Sequence, residues 1–395
     1  MVKRNIGRSK ALGALTALLV LAGAAGVAAE PVSAQLPTAP AQTSPRAAIE
    51  VATRLADWQL QRMRDTDHVA RATTETRNPR AWEQAAFWIG MTALADAGAP
   101  PRIRDAIVAM GRDNQWLPAA RPYHADDLAI TDSYLWASRH GAGAAAVAPT
   151  RKAFDYILAN PPRVSLAWYL PPSGYNDTEC LKRWCWCDAL FMAPPPMIAL
   201  SKLTGDRRYR DFAMKEYWAT TDFLFDPAEH LYYRDSRFFD RRGDDGRKLF
   251  WSRGNGWVFA SMPRIIPLLE KGSADRKRME ALFVEMAGRL KQLQKADGYW
   301  APSLLSPEGS PPESSGTGFF TYGVAWGIKA GLLDRRDYGP VARRGWEALV
   351  RSIQPDGRLG WVQQVSDRPE KVEPSDTQYY GVGAFLLAAT AIAAL

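Results

Sequence analysis

Gln294-Lys295-Ala296-Asp297-Gly298-Tyr299-Trp300 and Gln354-Pro355-Asp356-Gly357-Arg358-Leu359-Gly360-Trp361 share one signature: a Gln, an Asp-Gly turn, then a Trp. Asp-Gly forms turns readily, because Asp bonds its own backbone and Gly takes positive φ at little steric cost. Asp297 and Asp356 are 59 residues apart. A second series keeps the same step. Asp127, Asp188, Asn255, Gly318 and Gln378 each head a long apolar stretch, at spacings of 61, 67, 63 and 60 residues. Apolar residues recur at helical spacing over 47–65, 82–97, 101–110, 132–138, 153–158, 191–203, 209–223, 257–269, 275–293, 318–330, 338–352 and 378–394, while strand-like alternation is scarce. Each period therefore holds about two helices.

The 395-residue chain opens with Lys3, Arg4, Arg8 and Lys10, an apolar run from Ala11 to Ala29, and small residues at Val32-Ser33-Ala34. This is the pattern of a secretory signal over residues 1–34, and it predicts a periplasmic or secreted protein with no stable membrane insertion after cleavage. Residues 35–46, rich in Pro, Ala, Thr and Ser, read as a flexible leader. Without the signal the formal charge falls from +8 to +5. No basic block with interleaved aromatics points to nucleic acid. Residues 47–395 are expected to form a single domain, and about six 60-residue periods fit the 361 residues that follow the signal. A helix pair cannot bury its apolar face alone, so repeated pairs must stack. We expect an all-α fold, six hairpins closed into an (α/α)6 barrel. An open solenoid is the alternative, but the helix starts carry Trp, Asp and Gly rather than a repeated polar ridge. Closure makes the loops ahead of alternate helices converge on one funnel.

Chemistry concentrates at those loops. Arg183-Trp184-Cys185-Trp186-Cys187-Asp188 leads into an apolar run. Asp188 either caps that helix or, desolvated among aromatics such as Trp186, stays protonated as a general acid. Tyr123-His124-Ala125-Asp126-Asp127 puts two adjacent carboxylates on different sides, so one faces the funnel and one caps or meets water. Trp251-Ser252-Arg253-Gly254-Asn255-Gly256-Trp257 sets a guanidinium between indoles: indoles stack on sugars and arginine pairs with carboxylates. Its other reading is a Gly-rich helix start with core Trp. Ser315 and Thr317 lie in Glu313–Tyr322, where hydroxyls and backbone N–H groups open another helix. Four His and three Cys (Cys180, Cys185, Cys187) leave little for a metal centre; an oxidising compartment permits one disulfide and one spare thiol.

Three motifs, Trp186-Cys-Asp-Ala-Leu-Phe-Met192, Trp251-Ser-Arg-Gly-Asn-Gly-Trp257 and Ser314-Ser-Gly-Thr-Gly-Phe-Phe-Thr-Tyr-Gly323, resemble the unsaturated rhamnogalacturonyl hydrolases of glycoside hydrolase family 105 and their relatives in family 88. Tyr123–Asp127 fits as well. The resemblance implies an (α/α)6 barrel, catalysis with no metal or other cofactor, and oligosaccharides ending in a 4,5-unsaturated uronic acid as partners. It casts Asp188 as the acid/base that protonates C4 and helps water add at C5, after which the hemiketal opens and releases the aglycone. One carboxyl group then suffices. Asp127 matches the family's second aspartate, which holds sugar hydroxyls, and Trp251, Arg253, Asn255 and Trp257 match its substrate-lining motif. The chain departs from some relatives after Asp127 and at Tyr233-Arg234-Asp235, where Arg234 favours a uronate carboxylate. Two alternatives stand beside this reading. One is a polysaccharide lyase on the same toroid, with Tyr123, His124 or Tyr322 as base. The other is a non-catalytic periplasmic glycan-binding protein.

Overall fold

Helices alternate between an outer and an inner ring along the chain. In order they are α1 (Pro45–Leu60), α2 (Trp82–Asp96), α3 (Pro101–Asp113), the short α4 (Ala125–Leu128), α5 (Thr131–Ala137), α6 (Ala148–Ala159), the short α7 (Ala189–Met192), α8 (Pro194–Thr204), α9 (Arg207–Leu224), α10 (Ser252–Ile265), α11 (Ala274–Leu293), α12 (Ser314–Lys329), α13 (Arg335–Arg351) and α14 (Tyr379–Ala393). This is a computed structural model, and it describes residues 44–169 and 178–395. The expected signal lies outside the described residues, as does the leader through residue 43; Pro45 and Arg46, expected in the leader, already belong to α1.

The inner ring is α2, α5, α8, α10, α12 and α14, each packed on the next, and α14 packs back on α2. The six hairpins therefore close, as expected over the open solenoid. Inner helices touch neighbours on both flanks and the outer ring behind, so they are apolar nearly all round: Tyr379 to Ala389 of α14 is continuously buried. An outer helix has one wet face, and in α13 burial falls on Val341, Ala342, Gly345, Trp346 and Ala348–Val350, a single stripe. Caps set several outer helices: Ser44 accepts from Ala47 N at 3.2 Å, Asp206 from Arg208 N at 3.1 Å, and Asp334 from Arg336 N at 2.8 Å. The ring seam is tight. A Cβ on Gly383 would sit 2.2 Å from the Ala86 carbonyl oxygen, and one on Gly90 2.6 Å from the Gly383 carbonyl oxygen. Only hydrogen side chains let α14 and α2 approach this closely.

All twelve expected helices are present, most with shifted starts. Helices α10 and α12 begin at Ser252 and Ser314, earlier than the expected 257 and 318. Their glycines mark packing and not turns. A Cβ at Gly256 would come within 3.1 Å of Phe319 Cβ, and one at Gly316 within 2.2 Å of Ser252 Oγ. A two-stranded antiparallel ribbon, β1 (Phe225–Asp226) and β2 (Leu231–Tyr232), links α9 to the loop carrying Arg234. Cys180 and Cys185 form a disulfide, and Cys187 is a buried free thiol.

Candidate active site

A cleft of about 390 Å³ gathers Trp82, His124, Asp126, Trp168, Trp186, Asp188 and Arg234 with residues of the 365–370 loop. These positions come from six separate stretches of chain, which is what closure of the ring accomplishes.

Asp188 is aimed by a locally constrained path. The disulfide ties Cys180 to Cys185, and Trp184 between them takes a left-handed conformation (φ 59°, ψ 47°), which costs an L-residue roughly 1–2 kcal/mol. Burial of its indole and the bond from Trp184 Nε1 to the Tyr123 carbonyl (3.3 Å) hold it there. Cys187 N then donates to the Arg234 carbonyl at 2.8 Å, pinning the turn to the neighbouring hairpin. The Asp188 side chain makes no capping bond to α7, so its carboxylate is not spent on the helix. Its Oδ2 accepts from Cys187 Sγ at 3.3 Å and lies 3.8 Å from Arg234 Nε. Desolvation raises its pKa above the ordinary range, against the opposing pull of Arg234, the Cys187 bond and Arg253.

The adjacent carboxylates divide. Asp127 is turned away from the cleft: its Oδ2 accepts from Arg121 N at 2.7 Å and its Oδ1 from Arg121 Nε at 2.9 Å. The expectation that Asp127 meets the sugar does not match this geometry, because the carboxylate is consumed by Arg121. Asp126 faces the cleft instead. Burial raises its pKa well above the usual range; Arg121 opposes this, and Glu75, Asp188 and Asp127 add to it. His124 stands beside it, Nδ1 3.7 Å from Asp126 Oδ2, with its ring 4.9 Å from that of Trp186. Burial, Arg121 and Arg234 pull the His124 pKa down to about 3, so the imidazole is neutral at pH 7. His124 Nδ1 and Arg234 Nε are buried and make no hydrogen bond, their carboxylate neighbours lying 3.7 and 3.8 Å away, and buried polar atoms of that kind call for a ligand or solvent contact.

The Trp251–Trp257 motif lies behind the cleft rather than on its surface. Arg253 is fully buried between the Trp251 and Tyr380 rings and donates to the carbonyls of Gln363 (2.7 Å) and Gln364 (3.0 Å). Trp251 Nε1 donates to Gln363 Oε1 at 3.1 Å. Trp257 is core, packed on Phe191 and Phe319. Ser315 Oγ donates to Glu313 Oε1, which caps α12, and Thr317 Oγ1 accepts from Trp300 N at 3.1 Å. Trp251, Arg253, Asn255, Trp257, Ser315 and Thr317, expected to bind substrate, are thus supports for it. Asn255 shows this most plainly: Oδ1 accepts from Tyr232 N (2.7 Å) and Nδ2 donates to Tyr232 O (3.0 Å) and Trp251 O (3.1 Å). We expect Asn255→Ala to cost about 2–4 kcal/mol in urea unfolding, because it strands buried backbone groups.

Sequence reasoning missed Trp82, Trp168, Glu75, Arg121, Met192 and the 365–370 loop as cleft residues. Trp82 had a signal, since it heads the first inner helix. It stacks on Tyr380 at 5.1 Å (18°), and Trp257 meets it edge-on at 6.1 Å. The core tryptophan therefore acts on the cleft through Trp82. The 365–370 loop had no local signal. Among the described residues no three His, Cys, Asp or Glu side chains are grouped to hold a metal ion, and no helix is long and apolar enough to cross a membrane.

A closed ring of six helical hairpins with acidic and aromatic residues in one terminal cleft is the architecture of the six-hairpin glycosidases. The chain belongs to Glycosyl Hydrolase Family 88, whose family model matches residues 51–395, and it is a glycosidase. It is 40% identical over 358 residues to the unsaturated 3S-rhamnoglycuronyl hydrolase of Alteromonas sp. (strain LOR), covering 89% of this chain and 87% of that protein. Among solved structures, a glycosyl hydrolase family 88 protein from Bacteroides vulgatus superposes with a TM-score of 0.76 at 25% identity, over 89% of this chain and all of that one. A structure described as the polysaccharide lyase BACCELL_00875 shares the fold, with a TM-score of 0.74 at 24% identity over 88% of this chain and 97% of that one.

Proposed function

We propose that this glycosidase releases a 4,5-unsaturated uronic acid from the non-reducing end of lyase-generated oligosaccharides, with Asp188 as general acid and base. The observation that carries this is the Asp188 carboxyl group: it faces the cleft, makes no helix cap, and burial favours its protonated form. The name of the Alteromonas relative supports an unsaturated rhamnoglycuronyl oligosaccharide as the first substrate to try.

In this mechanism the protonated Asp188 delivers its proton to C4 of the vinyl ether. Positive charge develops at C5 and the ring oxygen. The Asp188 carboxylate then takes a proton from the water that adds at C5. The resulting hemiketal opens, and the C1 hemiacetal it leaves expels the aglycone, so one water is consumed per bond cleaved. Asp126 takes the place expected for Asp127. Burial favours its protonated form, and that form donates to a sugar hydroxyl. Arg234, whose Nε makes no hydrogen bond to the protein, receives the uronate carboxylate. Trp82, partly exposed on the cleft wall, offers its ring to the sugar, with the buried Trp186 packed behind His124.

The test is ultraviolet absorbance of a lyase digest. The hydrolase lowers the unsaturated-uronate band, a lyase raises it, and a pure binding protein leaves it unchanged. Arg234→Gln is expected to raise KM about ten-fold, by loss of one charge-assisted hydrogen bond. The same substitution should move the alkaline limb of the kcat profile upward. Arg234 lowers the Asp188 pKa, so without it the acid stays protonated to higher pH. A limb that stays put or moves down would separate Arg234 from the acid.

The proposal also places residues 1–34 as a secretory signal and the catalytic domain in the periplasm or outside the cell. The Cys180–Cys185 disulfide supports an oxidising compartment.

A further inference from the structure

The short helix α7 follows Asp188 directly, and its backbone bonds are incomplete. Residues 194–196 are three consecutive prolines. In helical geometry their nitrogens would face the carbonyls of Leu190, Phe191 and Met192, and a proline nitrogen has no hydrogen to give. Those three residues are buried, so bulk water does not stand in for the missing donors. The break between α7 and α8 falls here, at Ala193.

The Phe191 carbonyl is served from another hairpin. Arg264, in the last turn of α10, donates to it from Nη1 at 2.8 Å, and the guanidinium lies 4.2 Å over the Phe191 ring. Arg264 Nη2 lies 3.1 Å from Asp132 Oδ2 of α5. The Arg264 side chain is 9% exposed and stands outside the cleft lining. A buried Arg–Asp pair is ordinarily a structural feature with little net effect on stability. Two observations go further. One Arg264 nitrogen serves a backbone carbonyl, although guanidinium and carboxylate favour the two-bond pair. That carbonyl also belongs to the turn that places the acid: Phe191 N donates to the Asp188 carbonyl at 3.0 Å, and Met192 beside it lines the cleft. A path of hydrogen bonds thus runs from Arg264 through Phe191 to Asp188.

We propose that Arg264 is a positioning residue for the reaction. It satisfies the carbonyl that the proline run leaves without a helical donor, and so holds α7, and Asp188 with it, where the carboxyl group meets C4. The inference rests on the reading of Asp188 as acid and base.

The test is steady-state kinetics by absorbance loss on an unsaturated rhamnoglycuronyl oligosaccharide, with urea unfolding of each protein. Arg264→Met should lower kcat about ten-fold or more and leave KM within about two-fold. Misplacing a reacting group by about 1 Å costs up to about 10²-fold, while the sugar contacts assigned to Arg234 and Trp82 are untouched. Arg264→Lys keeps a charge opposite Asp132 and so guards the fold. It should show the same split, because a point charge pairs with the carboxylate in preference to the carbonyl. Adding Pro195→Ala supplies an N–H where the Phe191 carbonyl lacks one. In either Arg264 background it should raise kcat about three-fold or more and raise the urea midpoint, the effect of one regained hydrogen bond. A kcat near wild type in Arg264→Lys, a loss confined to KM, or no gain from Pro195→Ala overturns the proposal. Wild type and Asp188→Asn are measured beside these variants. An inactive wild type, or a fully active Asp188→Asn, overturns the acid reading and this proposal with it, and so is told apart from failure of Arg264 alone.

Discussion

Asp188→Asn is expected to lower kcat by about 10³-fold or more while leaving the fold intact, within the range of a general acid–base contribution. The amide is nearly isosteric with the carboxyl group, but it neither delivers a proton to C4 nor takes one from water. Both halves of the proposed hydration therefore fail together. The substitution also keeps an acceptor for Cys187 Sγ, now 3.3 Å from Oδ2, and makes no change to the capping of α7, which Asp188 does not serve. Absorbance loss on a rhamnoglycuronyl substrate, with circular dichroism as the fold control, checks it. A rate within two-fold or so of wild type would take the acid/base role from Asp188. The neighbouring carboxylates should part company in the same assay. Asp126→Asn should slow turnover, because its carboxyl group faces the cleft. Asp127→Asn should act mainly on stability, by loosening Arg121.

Gly383→Ala is expected to destabilise the protein by about 3 kcal/mol or more, although alanine is the better helix former by about 1 kcal/mol. The two effects oppose each other, and the magnitudes decide. The new methyl carbon would lie 2.2 Å from the Ala86 carbonyl oxygen and 2.9 Å from Phe87 N, both backbone atoms that no rotamer change moves. Relief requires α14 to leave α2, which opens the seam where the last hairpin meets the first. Urea unfolding measures the loss. An unchanged or raised midpoint would show that the seam has slack. Because Trp82 heads α2 and stacks on Tyr380 of α14, the same substitution should also disturb the cleft.

How far the site was legible depended on how local each residue's task is. Asp188 was found because its setting, Trp186-Cys187-Asp188 before an apolar run, is contiguous, and the structure decides against the capping role. Asp126 and Asp127 were found as a pair, but adjacent residues on one turn differ only in direction. That direction depends on Arg121, whose backbone and side chain both bond Asp127. The Trp251–Trp257 motif was recognised and misplaced by one layer. Its residue types are the same whether it lines the surface or lies behind it, and its glycines, at a Gly-rich helix start, serve helix packing.

The sequence by itself determined the twelve helices, their alternation, the closed ring implied by the 60-residue step, and the candidate acid. These follow from periodicity, turn chemistry and motif, which act within a few residues or repeat along the chain. Only the tertiary structure decided which side chains reach the cleft. Arg253 bonds Gln363, 110 residues away, and so serves the 365–370 loop rather than the sugar. Arg237 bonds Asp367, 130 residues away, and so ties the loop after β2 to the 365–370 loop. Such partners meet because the ring closes, and their pairing energy depends on a separation in space that no spacing along the chain encodes.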